Sequence, residues 1–144
     1  MPLPDFSFQY MPSPTTLFRF SALTFNGHYI HLDKDYARSE GYSGTPLASQ
    51  ALDRLTNCPL PCVERLVHGP LTALMLLDTA VHHHPELKLK TFEYRALNPL
   101  VVNKAITVHG AWEKTVTADS SEKALLVWAI DDQDVVGMSG RITV

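Results

Sequence analysis

The stretch from Leu66 to His84, LVHGPLTALMLLDTAVHHH, leaves this chain the fewest options. Between Leu71 and Val81 only Thr72, Asp78 and Thr79 interrupt the apolar run. Its mixture of Leu, Met and Ala favours helix over strand. Pro70 suits the first helical position, where an N–H would have no intrahelical partner. Pro85 stops the helix behind three histidines whose protonated forms would complement its dipole. The apolar positions are not confined to one stripe, so the helix is expected to be buried on most sides. It is too short to span a bilayer. A buried helix of about four turns needs a wrapping. The rest of the sequence reads mostly as strands, so the expected architecture is α+β: an antiparallel sheet wrapped around one long central helix.

A chain of 144 residues is read as one domain, long enough to bury a real core. A formal charge of −3 carries no nucleic-acid footprint, and nucleic acid and membrane are not expected as partners. Cys58 and Cys62 have no second pair to complete a zinc site, and reduced thiols fit a reducing compartment. The first residues, MPLPDFSFQYMPSPTT, have no basic region followed by an apolar run, and lack the arginines of a mitochondrial presequence. The expected location is intracellular, cytoplasmic or mitochondrial.

Taken in order, residues 1–15 carry four prolines and read as an irregular N-terminal arm. Thr16 to Thr24 has the aromatic content of a strand. Asp33 is placed to cap a short helix over Asp33 to Arg38. Glu40 to Gly44 reads as a loop. Residues 45–65 read as an insertion, with a short helix at Ala48 to Leu55. Leu87 to Arg95 alternates as a half-buried strand, with one slip at Thr91. Asn98-Pro99 is a turn. Strands follow at Lys104 to Lys114, with Gly110 as a candidate bulge, and at Lys123 to Ile130. Asp131 to Asp134 forms a tight connection, and Val135 to Val144 closes the sheet. Four successive strands suggest a meander, joined by one strand from before the helix.

Chemistry concentrates at Asn26, His28 and His31. An imidazole titrates near pH ~6.5 and exchanges protons near neutrality, whereas an amide can hold a water but not take its proton. Read alone, this stretch is either a polar turn or a general base with a hydrogen-bonding partner. Gly69 is either a close-packing position or a site where free helix N–H groups polarise a carbonyl. Pro70 has no N–H, so Gly69 and Leu71 are the donors of that turn. Arg95 is a surface residue or a contact for an anionic part of a ligand. His109 is read as a surface or wedge residue. Adjacent histidines at 82–84 point in different directions, so no metal site is expected. Nor is any cofactor: the sequence lacks a Walker loop and a Rossmann glycine set, and it also has no GxSxG or HExxH motif.

FSALTFNGHYIHLDKDYA (Phe20 to Ala37), followed by LVHGPLTALMLLD (Leu66 to Asp78) and FEYRALNPL (Phe92 to Leu100), resembles the MaoC-like branch of the hotdog superfamily. Within it, the chain is similar to type 2 3-hydroxyacyl-thioester dehydratases and mesaconyl-C4-CoA hydratases. The resemblance implies a hotdog fold, normally paired with a second hotdog, hence a homodimer for this single copy. It implies reversible addition of water across the α,β double bond of an acyl thioester carried by CoA or acyl carrier protein. Laid on the family's D-x-N-x-x-H pattern, His31 falls on the catalytic His, His28 on the Asn and Asn26 on the Asp. Gly69, in the His68-Gly69 motif, falls on the glycine whose N–H polarises the thioester carbonyl. His68, Leu71, His28 and Arg95 are expected to contact substrate.

Asn26 departs from the pattern, because an amide cannot be the second acid/base group. His31 would then carry the proton alone, with Asn26 orienting the hydroxyl. The resemblance places the Asn26–His31 stretch beside the start of the central helix. The 45–65 insertion lies between these halves in sequence and is a candidate lid. Two other readings stay open: a tailoring enzyme acting on a non-CoA substrate, and a non-catalytic acyl-ligand-binding subunit.

Overall fold

The computed structural model describes residues 1–41, 64–113 and 123–144. The insertion up to residue 63, its expected short helix, and both cysteines lie outside the described residues. The chain divides into two compact units. One, the sheet unit, comprises Met1–Met11, Gly69–Leu100 and Lys104–Val144; the other, the helical unit, comprises Pro12–His68 and Val101–Asn103.

The sheet unit holds β1 (Phe6–Tyr10), the long helix Gly69–His83, β2 (Thr91–Ala96), β3 (Ile106–Trp112), β4 (Ala124–Ile130) and β5 (Val136–Thr143). All pairings are antiparallel, in the order β1-β3-β4-β5-β2. The helix packs against the sheet, as its sequence required. Its burial is one-sided, however. Thr72, Ala73, Leu76, Thr79 and Ala80 are buried, whereas Leu74 and Val81 are 54% and 38% exposed. The buried positions recur at helical spacing along one face, so the sheet covers a stripe and the expected all-round burial is not met.

Three further expectations change. The N-terminal arm contains β1, whose Phe6, Phe8 and Tyr10 alternate; its Phe6 pairs with Gly110 and its Tyr10 with Ile106. The Asp5 carboxylate adds a 2.8 Å bond from the Trp112 N–H. Because β1 occupies that edge of β3, β2 pairs with β5 instead, Phe92 opposite Ile142. The meander therefore has three strands, β3-β4-β5, and β2 begins at Thr91, after the expected alternation at Leu87 and Leu89. Gly110 is not a bulge: it keeps regular register with Phe6 and Val127. A side chain there would collide with the Phe6 ring, so close packing explains the glycine. The irregularity falls between Ala129 and Ile130 instead. The β4–β5 connection is as expected, with Asp131 Oδ1 accepting from the Gln133 and Val135 N–H groups at 2.8 and 2.9 Å.

The helical unit contains α1 (Pro14–Thr24), α2 (Tyr29–Leu32) and α3 (Lys34–Ser39); the long helix is α4. The expected strand at Thr16 to Thr24 is α1, because a local start signal outweighs aromatic content. Ser13 caps it, accepting from the Thr16 N–H at 3.1 Å, while Thr16 Oγ1 accepts from the Ser13 N–H at 3.4 Å, a capping box followed by Pro14 at the first turn. Leu17 and Ser21, one turn apart, form its buried stripe. The short helix capped by Asp33 is present as α3, with Asp33 Oδ1 accepting from the Asp35 and Tyr36 N–H groups at 2.8 and 3.0 Å.

Candidate active site

Two adjacent caps set the conformation around His31. Asn26 Oδ1 accepts from the His28 N–H at 3.2 Å, and His28 Nδ1 accepts from the Ile30 N–H at 3.3 Å, capping α2. α2 is one turn long and Asp33 immediately caps α3, so the backbone around His31 is fixed at both ends. Asn26 and His28 are themselves exposed; His31, three residues on, is buried at 8% exposure.

The partner of His31 comes from 35 residues away. His31 Nδ1 lies 2.8 Å from the Leu66 carbonyl oxygen, and the Leu66 N–H donates back to the Ile30 carbonyl at 3.0 Å. Leu66 is held in turn by an antiparallel bridge to Val101, and the Val102 N–H donates to the Arg65 carbonyl at 3.0 Å. A carbonyl only accepts, so Nδ1 carries the hydrogen and Nε2 keeps the basic lone pair. Burial lowers the His31 pKa below the ordinary imidazole value; the Leu66 carbonyl opposes this and the nearby His28 adds a smaller lowering. The neutral, proton-accepting form is therefore favoured at neutral pH.

His68 is fully buried and lies flat on His31, with ring centroids 3.7 Å apart and planes 20° apart. Its Nε2 is 2.9 Å from Ser21 Oγ of α1, and the Phe20 ring meets it edge-on at 4.9 Å. Burial, followed by the proximity of His31, pushes the His68 pKa down to about 4. Pro14, Thr15, Phe18, His31, Leu32 and Arg65 line a cleft of about 360 Å³. The walls are largely apolar, with one imidazole and one guanidinium. That combination suits an apolar reactant on which a proton moves.

The structure thus gathers His31, His68 and His28 in the helical unit, with the His28 and His31 ring centroids 6.3 Å apart. Gly69, Leu71 and Arg95 belong to the sheet unit. Gly69 opens α4, whose first-turn N–H groups have no intrahelical acceptor. Among the described residues a Cβ at Gly69 would meet only Met138 Cε, at 3.9 Å, an ordinary contact, so packing against those residues does not explain this glycine. Arg95 sits exposed on β2 opposite Ser139, lining a second cleft of about 340 Å³ with Tyr94, Trp128 and Arg141. The ring of His83 stacks on Phe6 and that of His84 meets Trp112 edge-on. Among the described residues no cluster of His, Cys, Asp or Glu is arranged to hold a metal. Sequence reasoning missed Ser21, Arg65 and the Leu66 carbonyl. Only Ser21 left a signal, as a polar residue one turn from Leu17 on an apolar helix face.

Against known proteins, the chain is 40% identical over 91 residues to mesaconyl-C(4)-CoA hydratase of Chloroflexus aurantiacus, covering 62% of this chain and 25% of that protein. It is 32% identical over 109 residues to the mitochondrial hydroxyacyl-thioester dehydratase type 2 of Schizosaccharomyces pombe, covering 74% and 30%. The chain thus spans about a quarter to a third of the curated relatives it matches. Among solved structures, an (R)-hydratase from A. caviae involved in PHA biosynthesis superposes with a TM-score of 0.67 at 14% identity, covering 99% of this chain and 95% of that one. A MaoC-like dehydratase from Phytophthora capsici gives 0.68 at 14% identity, covering 98% and 42%. At such identities these two establish the fold alone, the MaoC-like hotdog. Residues 2–57 and 63–102, well over half of the sequence, match the hydroxyacyl-thioester dehydratase type 2 family, and the chain belongs to that family.

Proposed function

We propose that this chain is a hydro-lyase that adds or eliminates water at the α,β position of an acyl thioester carried by CoA or acyl carrier protein. The carrying observation is His31: buried, hydrogen-bonded through Nδ1 to the Leu66 carbonyl, and lining a largely apolar cleft. In the hydration direction, Nε2 takes a proton from water as the water oxygen bonds to the β-carbon. The double-bond electrons move onto the thioester as an enolate. The resulting imidazolium then returns the proton to the α-carbon, so atoms and charge balance with one acid/base group. Asn26 Oδ1 is already engaged, which leaves its Nδ2 to hold the water or hydroxyl. Gly69 and Leu71 supply N–H donors of the kind that stabilise an enolate oxygen. The names of the curated relatives support the same reaction class.

The test is turnover of crotonyl-CoA and longer enoyl-CoAs, followed by loss of enoyl absorbance. Saturable binding of these thioesters without turnover would replace this reading with that of a ligand-binding subunit. We further infer one hotdog domain over residues 1–144 that acts as a homodimer, because β2 is an edge strand with little burial. Light scattering showing a monomer at micromolar concentration would overturn the dimer. The inferred location is cytoplasmic or mitochondrial; the S. pombe relative is described as mitochondrial. Among the described residues no helix is long and apolar enough to cross a membrane.

A further inference from the structure

The ring pair in the helical unit has a part to play that the reaction scheme does not use. His68 is fully buried, so it is not placed to touch a substrate from the cleft. It is nonetheless in close face-to-face contact with His31. A structural imidazole needs its polar atoms satisfied, and Ser21 Oγ meets Nε2 at 2.9 Å. Ser21 is itself buried on α1, so this bond ties His68 to a rigid helix. The Phe20 ring, edge-on at 4.9 Å, is a further contact of the His68 ring.

We propose that His68 is a positioning residue for His31: pinned by Ser21, its ring lies flat on one face of the base imidazole, fixing that ring's plane and denying the face to water. This rests on the reading of His31 as the base. The Leu66 carbonyl fixes His31 in its own plane by a hydrogen bond, and His68 fixes it from above the plane by stacking. Together they leave one ring nitrogen and one edge for chemistry. Desolvation is the leading cause of the lowered His31 pKa, and His68 is the flat body excluding water on that side. Among the described residues the other groups near His31 include His28, with Tyr36 of α3 beside it, and Arg65 in the cleft. Among the described residues no carboxylate is paired with His31.

The experiment follows the His31 ring proton by NMR across pH, its resonance assigned by loss in His31→Asn. His68→Phe keeps a flat body, His68→Ala removes it, and Ser21→Ala unpins it. His68→Ala is expected to raise the His31 midpoint by about half a pH unit or more, toward the ordinary value near ~6.5. His68→Phe and Ser21→Ala each keep a flat body but lose the Ser21 bond, and both are expected to shift the midpoint alike, in the same direction as His68→Ala but less. The acid limb of kcat/KM should follow the same order, with kcat falling and KM staying within about twofold. If His68→Ala does not fold, His68→Phe and Ser21→Ala decide. An unchanged midpoint in folded His68→Ala or Ser21→Ala overturns the proposal, as does a His68→Phe that shifts the midpoint further than Ser21→Ala. The NMR titration needs no substrate, so the two readings fail separately. A wild type inert toward every enoyl thioester defeats the hydro-lyase reading and leaves the ring pairing standing.

Discussion

Replacing His31 by Asn separates its chemistry from its structural bond. The Asn Nδ2 occupies the position of the imidazole Nδ1, from which His31 donates 2.8 Å to the Leu66 carbonyl. That bond can survive the change, while the ability to take a proton is lost. A general base is worth about 10²–10⁴ in rate, and that is the expected fall in kcat for His31→Asn, with the fold intact. His31→Ala should lose the same rate and also stability. It strips the Leu66 carbonyl of its side-chain partner in a buried setting, at about 1–3 kcal/mol, and leaves a gap beside the His68 ring. The assay pairs kcat and KM on crotonyl-CoA with urea unfolding of wild type, His31→Asn and His31→Ala. The reasoning fails if folded His31→Asn keeps kcat within a few-fold of the wild type. It also fails if the two variants are equally stable, since the Leu66 bond would then contribute nothing.

Acid should destabilise the chain through His68. Its pKa is lowered from 6.5 to about 4 in the fold, so its contribution is full above the unfolded value and is lost as pH falls through that window. Urea midpoints measured between pH 7 and pH 4 should therefore drop, and drop less in His68→Phe; equal slopes would refute this. Gly69→Ala should fold normally, since among the described residues the added methyl would meet only Met138 Cε at 3.9 Å, yet lose about tenfold or more in turnover if substrate approaches that backbone. Unchanged turnover removes Gly69 from substrate contact. Gly110→Ala should cost about 1–3 kcal/mol by driving a methyl into the Phe6 ring, a cost largely relieved in a Phe6→Leu background; chemical denaturation of the single and double variants measures it.

The sequence by itself determined what depends on neighbours a few residues apart. Pro70, Pro85 and the Leu/Met/Ala run between them specify α4 locally, and Asp33 specifies the start of α3 through bonds to its own next residues. Asp131 closes the β4–β5 turn in the same way. The role proposed for His31 comes from the family resemblance, since the residues read alone leave a polar turn or a base. Some local signals are legible but compete with others: the Ser13-Pro14 start of α1 stands beside strand-like aromatic content, and the Phe6, Phe8, Tyr10 alternation lies among prolines. Tertiary structure alone decided the rest, because those contacts join residues whose spacing carries no periodic signal. β2 reaches β5 only because β1 has taken the edge of β3. One face of α4 is buried only because the sheet covers one side, which an all-round apolar sequence cannot announce. His31 receives its tautomer from a carbonyl 35 residues away, and its stacking partner is tied to Ser21, 47 residues from His68. Backbone carbonyls look alike in every sequence, so which one fixes the His31 ring is settled only when the chain has folded.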